Sequence, residues 1–129
     1  MSHELKPLVV VAEDDEAIRS LIMIQLDAAG FRTEGVCDGV EAVEKIRNAM
    51  PAGVVLDIGM PKLDGFGVLE AMQVAGLTVF IPTLVLTARH AEGDVRRAIE
   101  LGATDFLAKP FDGKILQARV TRMLDMDVR

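Results

Sequence analysis

The sequence is poor in the features that would point it toward other classes of protein. It carries one cysteine, Cys37, among 129 residues, so no disulfide can close within the chain and a reducing compartment suits it. Neither GxGxxG nor GxxxxGK[ST] follows the first strand-like segment, which argues against a bound nucleotide. Basic residues are outnumbered 14 to 20, for a formal net charge of −6. Nucleic-acid binding rests largely on Lys and Arg neutralising phosphates, so the balance has the wrong sign for it. The longest apolar run, Leu77 to Ala88, is interrupted by Pro82 and is too short to span a bilayer. The opening MSHELKP mixes charges and does not read as a signal peptide. The expected location is cytoplasmic, without membrane or direct nucleic-acid contact.

What is present is a regular alternation. Leu8 to Ala12 is an unbroken apolar run rich in β-branched residues, which reads as a buried parallel strand. Ala17 to Ala29 repeats apolar residues at three- and four-residue steps and is stopped by Gly30. Phe31–Val36 reads as a second strand at an edge, and Asp38 as the N-cap of a helix with Val40, Val43 and Ile46 on one face. Val54–Leu56 is a third strand, Phe66–Ala75 a third helix, Ile81–Leu86 a fourth strand with Pro82 near its start. Asp94–Leu101, Phe106–Ala108 and Lys114–Leu124 complete the series as helix, strand and helix. Strict alternation of this kind predicts an α/β fold, a doubly wound parallel sheet with helices on both faces. The seven methionines are expected to fill gaps in its core.

In such a sheet the binding crevice lies beyond the carboxyl ends of the strands, where strand order reverses. There the sequence places Glu13-Asp14-Asp15-Glu16, Asp57, Thr87 and Lys109-Pro110. Each has an ordinary explanation alone: Asp15 as a helix N-cap, Asp57 as a loop solvator, Thr87 as a turn residue, Lys109 as a surface charge. Together they bring several acids to one crevice, where mutual repulsion raises at least one pKa unless a cation is held there. Carboxylates without histidine or cysteine suit a hard cation, Mg2+ ahead of Ca2+.

Four segments carry a resemblance: VAEDDEAIR at 11–19, LDIGMPKLDG at 56–65, VLTA at 85–88 and AKPF at 108–111. Together, in this order, the chain resembles the CheY-like receiver domains of two-component response regulators over 6–126, with no second domain. The resemblance implies a flavodoxin-like (βα)5 sheet of strand order 2-1-3-4-5 and a phosphorylation-activated switch. Asp57 would be the phosphoacceptor. Glu13, Asp14, Asp57 and the main-chain carbonyl of Gly59 would hold Mg2+, with Mn2+ as a substitute. Lys109, aimed by a cis peptide to Pro110, would hold a phosphoryl oxygen, and Thr87 would bond another. Phe106, where many relatives carry Tyr, would turn inward as Thr87 moves. Gly59 and Arg89 would tune dephosphorylation. His90 is given no role.

The donor implied is a sensor histidine kinase or a histidine phosphotransfer protein. The output would be an unnamed protein on the surface of the fourth helix, fifth strand and fifth helix, where Arg96, Arg97, Lys114 and Arg119 could lie, with a phosphorylation-dependent dimer a further possibility. The chain would be no enzyme beyond catalysing its own phosphorylation and dephosphorylation. Two other readings stand beside this one. A magnesium phosphatase of the haloacid-dehalogenase type also uses a strand-end Asp, but has a second Asp where this chain has Gly59. A degenerate receiver would serve only as an interaction module, and usually lacks one of the residues found here.

Overall fold

The computed structural model describes residues 6–88 and 91–128. Strands β1 (Leu8–Ala12), β2 (Arg32–Val36), β3 (Gly53–Asp57), β4 (Thr83–Ala88) and β5 (Asp105–Lys109) alternate with helices α1 (Glu16–Ala28), α2 (Gly39–Ala49), α3 (Gly65–Val74), α4 (Glu92–Glu100) and α5 (Gly113–Val128). All strand pairings are parallel, in the order β2-β1-β3-β4-β5. Strand order therefore reverses between β1 and β3, as the resemblance implied.

Side chains divide between two layers with the period of two that a pleated strand imposes. Val10, Ala12, Val54, Leu56 and Val85 pack with α2 and α3 residues such as Ile46 and Leu69. Val9, Val11, Val55, Leu84 and Leu86 pack with α1 and α5 residues such as Ile22 and Leu116. Being covered on both faces, β1 and β3 are buried along their whole length.

The helices start where the sequence offers a cap. Asp15, Asp38 and Asp64 accept from the amides of Ile18, Glu41 and Gly67 at 3.0, 2.8 and 2.9 Å. All of these helices begin on the carboxyl side of a strand, so their capped ends gather on the rim that holds the acids. Gly30, Gly76 and Gly102 follow the ends of α1, α3 and α4 with φ of +96°, +74° and +106°, a conformation only glycine adopts without strain.

Three sequence expectations are corrected. β4 begins at Thr83 and runs on through Thr87 and Ala88, later than the Ile81–Leu86 reading. Pro82 has no N–H for the ladder, although its carbonyl still accepts from Val54 at 3.0 Å. In α2 the buried positions are Gly39, Ala42 and Ile46, while Val40 is 49% exposed. At Gly39 the loop after β3 presses on the start of the helix, where a Cβ would overlap the Leu63 carbonyl. Among the methionines, Met60, Met72 and Met123 fill the core as expected, but Met50 is exposed at the end of α2. No helix among the described residues is long and apolar enough to cross a membrane.

Candidate functional site

β1 delivers Glu13 and Asp14 one and two residues past its end, and β3 ends on Asp57 itself. Lys109 is the last residue of β5, with Pro110 joined to it by a cis peptide. Glu13, Asp14 and Asp57 each bring a carboxylate oxygen within 4.8 Å of the others. Lys109 Nζ stands 2.8 Å from Glu13 Oε1 and 3.1 Å from Asp57 Oδ1. These groups line a cleft of about 870 Å³, together with Gly59, Ala88, Asp94 and the apolar Ile18, Leu21 and Phe111.

Burial differs sharply among the acids. Glu13 is fully buried and Asp57 nearly so, whereas Asp14 is open to solvent. Glu13 is fastened through its backbone and one oxygen: Arg19 donates to its carbonyl at 2.8 Å, and the Asp15 amide donates to Oε2 at 3.1 Å. Its other oxygen, Oε1, is buried without a partner of hydrogen-bonding geometry. Its neighbour of opposite charge is the Lys109 ammonium, in the 2.8 Å ion pair. Burial pushes the Glu13 carboxyl above its ordinary range, and the Asp57 charge adds to the rise against the pull of Lys109. Burial alone would lower the Lys109 ammonium, but the carboxylates of Glu13 and Asp57 outweigh it and hold its pKa above the usual lysine value.

The loop after Asp57 is held from several sides. The Gly59 amide donates to Asp57 Oδ1 at 3.3 Å, the Ile58 amide to Leu86 O at 3.2 Å, and the Gly65 amide to Ile58 O at 2.8 Å. A Cβ on Gly65 would come within 2.7 Å of the Asp57 carbonyl, so the start of α3 can close on the loop only as glycine.

Thr87 is buried on β4, beside Ala108 of β5. It lines a second, smaller hollow of about 210 Å³ with Ala91, Glu92, Val95 and Phe106. Ala88 borders both the hollow and the acidic cleft. Phe106 is 40% exposed, so it is not a core aromatic in this conformation. Arg119 donates to the Phe106 carbonyl at 3.0 Å, placing it between β5 and α5. Arg97 instead lies over the Phe66 ring, 4.2 Å from its centroid, on the α3 side of α4. Arg89 and His90 lie outside the described residues.

Among the described residues the ligand-type atoms of Cys37, Asp38 and Glu41 also converge. Capping accounts for them: Asp38 caps α2, and the Glu41 carboxylate accepts from the Cys37 amide at 3.2 Å. That carboxylate also pushes the Cys37 thiol up.

The family model for the response regulator receiver domain matches residues 9–121. The chain belongs to this family. The receiver domain is 39% identical over 116 residues to the response regulator MprA of Mycobacterium sp. (strain KMS), a match covering 90% of this chain and 50% of that protein. The chain spans about half the length of the curated relatives it matches. Among solved structures, the Francisella response regulator 1452 receiver domain superposes with a TM-score of 0.87 at 29% identity, covering 94% of this chain and 98% of that one. The receiver domain of the sensor histidine kinase PA1611 from Pseudomonas aeruginosa, described with a magnesium ion coordinated in its active-site cleft, gives 0.83 at 26% identity over 93% and 98%.

The fold and four of the residues that sequence reading gathered, Glu13, Asp14, Asp57 and Lys109, thus meet in one receiver cleft, with Thr87 and Phe106 in the hollow next to it. Sequence reasoning passed over Arg19, which holds Glu13, and Asp94, which lines the cleft. It also passed over Ile18, Leu21 and Phe111. The only signal for Ile18 and Leu21 was that α1 carries more apolar positions than one buried face uses.

Proposed function

We propose that this receiver domain is a phosphorylation-activated switch that takes a phosphoryl group onto Asp57 with the help of Mg2+. The observation that carries the reading is the contact set at the switch point of the sheet: carboxylate oxygens of Glu13, Asp14 and Asp57 within 4.8 Å of one another, with Lys109 Nζ 3.1 Å from Asp57.

An all-oxygen donor set fits a hard divalent cation, and three carboxylates facing the single ammonium of Lys109 leave negative charge for one to offset. Asp14 and Asp57 would hold Mg2+ with the Gly59 carbonyl, and Glu13 would do so through a water. When bound, the ion offsets the negative charge of acids and phosphoryl oxygens. Mn2+ would serve in its place. An Asp57 oxygen then forms the new P–O bond while the P–N bond of a donor phosphohistidine breaks. Lys109, now shared between Glu13 and Asp57, shifts to an equatorial phosphoryl oxygen. Thr87 turns toward the phosphoryl group, and Phe106 moves into the space it leaves.

The donor is a sensor histidine kinase or a histidine phosphotransfer protein. Ile18, Leu21 and Phe111 around the acidic cleft give an apolar apron on which a protein donor can seat while its phosphohistidine reaches inward. Output passes to another protein, or to a second copy of the domain, through the face of α4, β5 and α5. The only chemistry is the domain's own phosphorylation and dephosphorylation, in the cytoplasm.

The test is incubation with acetyl phosphate and Mg2+, followed by intact mass. A single phosphate adduct is expected, absent without Mg2+ and absent from Asp57→Asn. No adduct on the unmodified chain, or an undiminished one on Asp57→Asn, overturns the reading.

A further inference from the structure

The turn that follows Gly59 is held in an unusual shape by the start of α2. Lys62 has φ +69°, and the Leu63 amide donates to the Pro61 carbonyl at 2.7 Å, two residues back. Such a γ-turn at positive φ is strained for a residue with a side chain and persists only where its surroundings impose it. Those surroundings are Asp38 and Gly39. The Gly39 amide makes a long, 3.5 Å contact to the same Pro61 carbonyl. A Cβ on Gly39 would overlap the Leu63 carbonyl, so the turn can lie against the helix start only where the side chain is missing.

Asp38 divides its carboxylate between both structures. Oδ1 caps α2 by accepting from Glu41 at 2.8 Å, while Oδ2 faces Lys62 Nζ at 3.5 Å. The carboxylate is only 6% exposed although Lys62 is 68% exposed. One buried acid thus ties the helix to the segment between Gly59 and α3.

We propose that Asp38, Gly39 and Lys62 are positioning residues for the acceptor loop: by imposing the turn after Gly59, they set how well the cleft binds its divalent cation. The proposal rests on the magnesium-dependent function above. It concerns residues that touch neither the cation nor the phosphoryl group.

The full chain is titrated with Mg2+ while the Gly59 amide resonance is followed by NMR, in about 0.15 M salt so that distant charges are screened. Asp38→Asn keeps the helix cap but removes the charge. It is expected to weaken Mg2+ binding about threefold, the scale of an ion pair with one exposed partner. Lys62→Gln is expected to weaken it about as much, Lys62→Arg not at all, and the Asp38→Asn/Lys62→Gln pair no more than the worse single change. The sign at Lys62 is decisive, because simple electrostatics makes loss of a cation tighten Mg2+ binding. Gly39→Ala, which drives the turn from its seat, is expected to weaken binding roughly tenfold. If that variant does not fold, the Asp38–Lys62 cycle decides alone, with thermal melts without metal separating stability from affinity. Unchanged or tightened binding in Lys62→Gln, or additive effects in the pair, overturns the clamp while normal binding by the unmodified chain leaves the functional reading standing. No Mg2+ binding by the unmodified chain overturns both.

Discussion

β3 at the centre of the sheet and β5 at its edge each end on a residue of the cleft, yet they meet water in opposite ways. Every residue of β3 is buried, up to Asp57. β5 alternates between half-buried and exposed, with Lys109 27% and Phe106 40% exposed. The proposed acceptor, Asp57, is therefore set in the part of the molecule where any displacement opens a void, and the proposed reporter, Phe106, where displacement loses little burial. A switch needs this division. Its chemistry must keep its geometry while its readout changes.

The largest effect is expected from the centre. Leu56→Ala, next to Asp57 and fully buried, should cost about 2–5 kcal/mol in urea unfolding. A loss well under 1 kcal/mol would show that the centre relaxes easily, and the contrast with the edge would fail.

A smaller, pH-dependent effect sharpens the comparison at Glu13. Its carboxyl is raised from 4.5 chiefly by burial, so the folded state holds this proton more tightly than the unfolded chain. From about pH 4.5 upward through the raised folded value, the native state must lose a proton it retains, and stability contributed by Glu13 falls. Without metal, unmodified protein should therefore lose stability relative to Glu13→Gln as pH rises through this window. At neutral pH, Mg2+ should stabilise the unmodified protein more than the variant. Parallel stability curves for the two proteins would refute the assignment.

The smallest effect is expected at the edge. Phe106→Ala should change stability by less than about 1 kcal/mol and leave the Asp57 adduct intact. A loss equal to that of Leu56→Ala would mean that the edge is packed no more loosely than the core.

How much of this was legible in the sequence follows from the range of the interactions involved. The caps Asp15 and Asp38 and the glycines after the helices act within a few residues, and the site acids sit at strand ends that periodicity reveals. The inward face of α2 escapes periodicity because Gly39 is buried where a loop distant in sequence, 61–63, leaves no room for a side chain. The frame of β4 slips because an apolar run does not say where the ladder begins once Pro82 lacks its N–H. Lys62 gives no local sign of its turn: positive φ at a lysine is imposed from α2. The full burial of Glu13 depends on Arg19 and Lys109 arriving from separate elements, which no pattern along one segment encodes.

Ala88 closes β4 and borders both the acidic cleft and the hollow beneath Phe106. The room where phosphorus would arrive and the room where its arrival would be felt have this one alanine in common among their lining residues. A branched side chain there would crowd both rooms at once, whereas alanine leaves an oxygen entering one side and a ring entering the other able to sense a common wall.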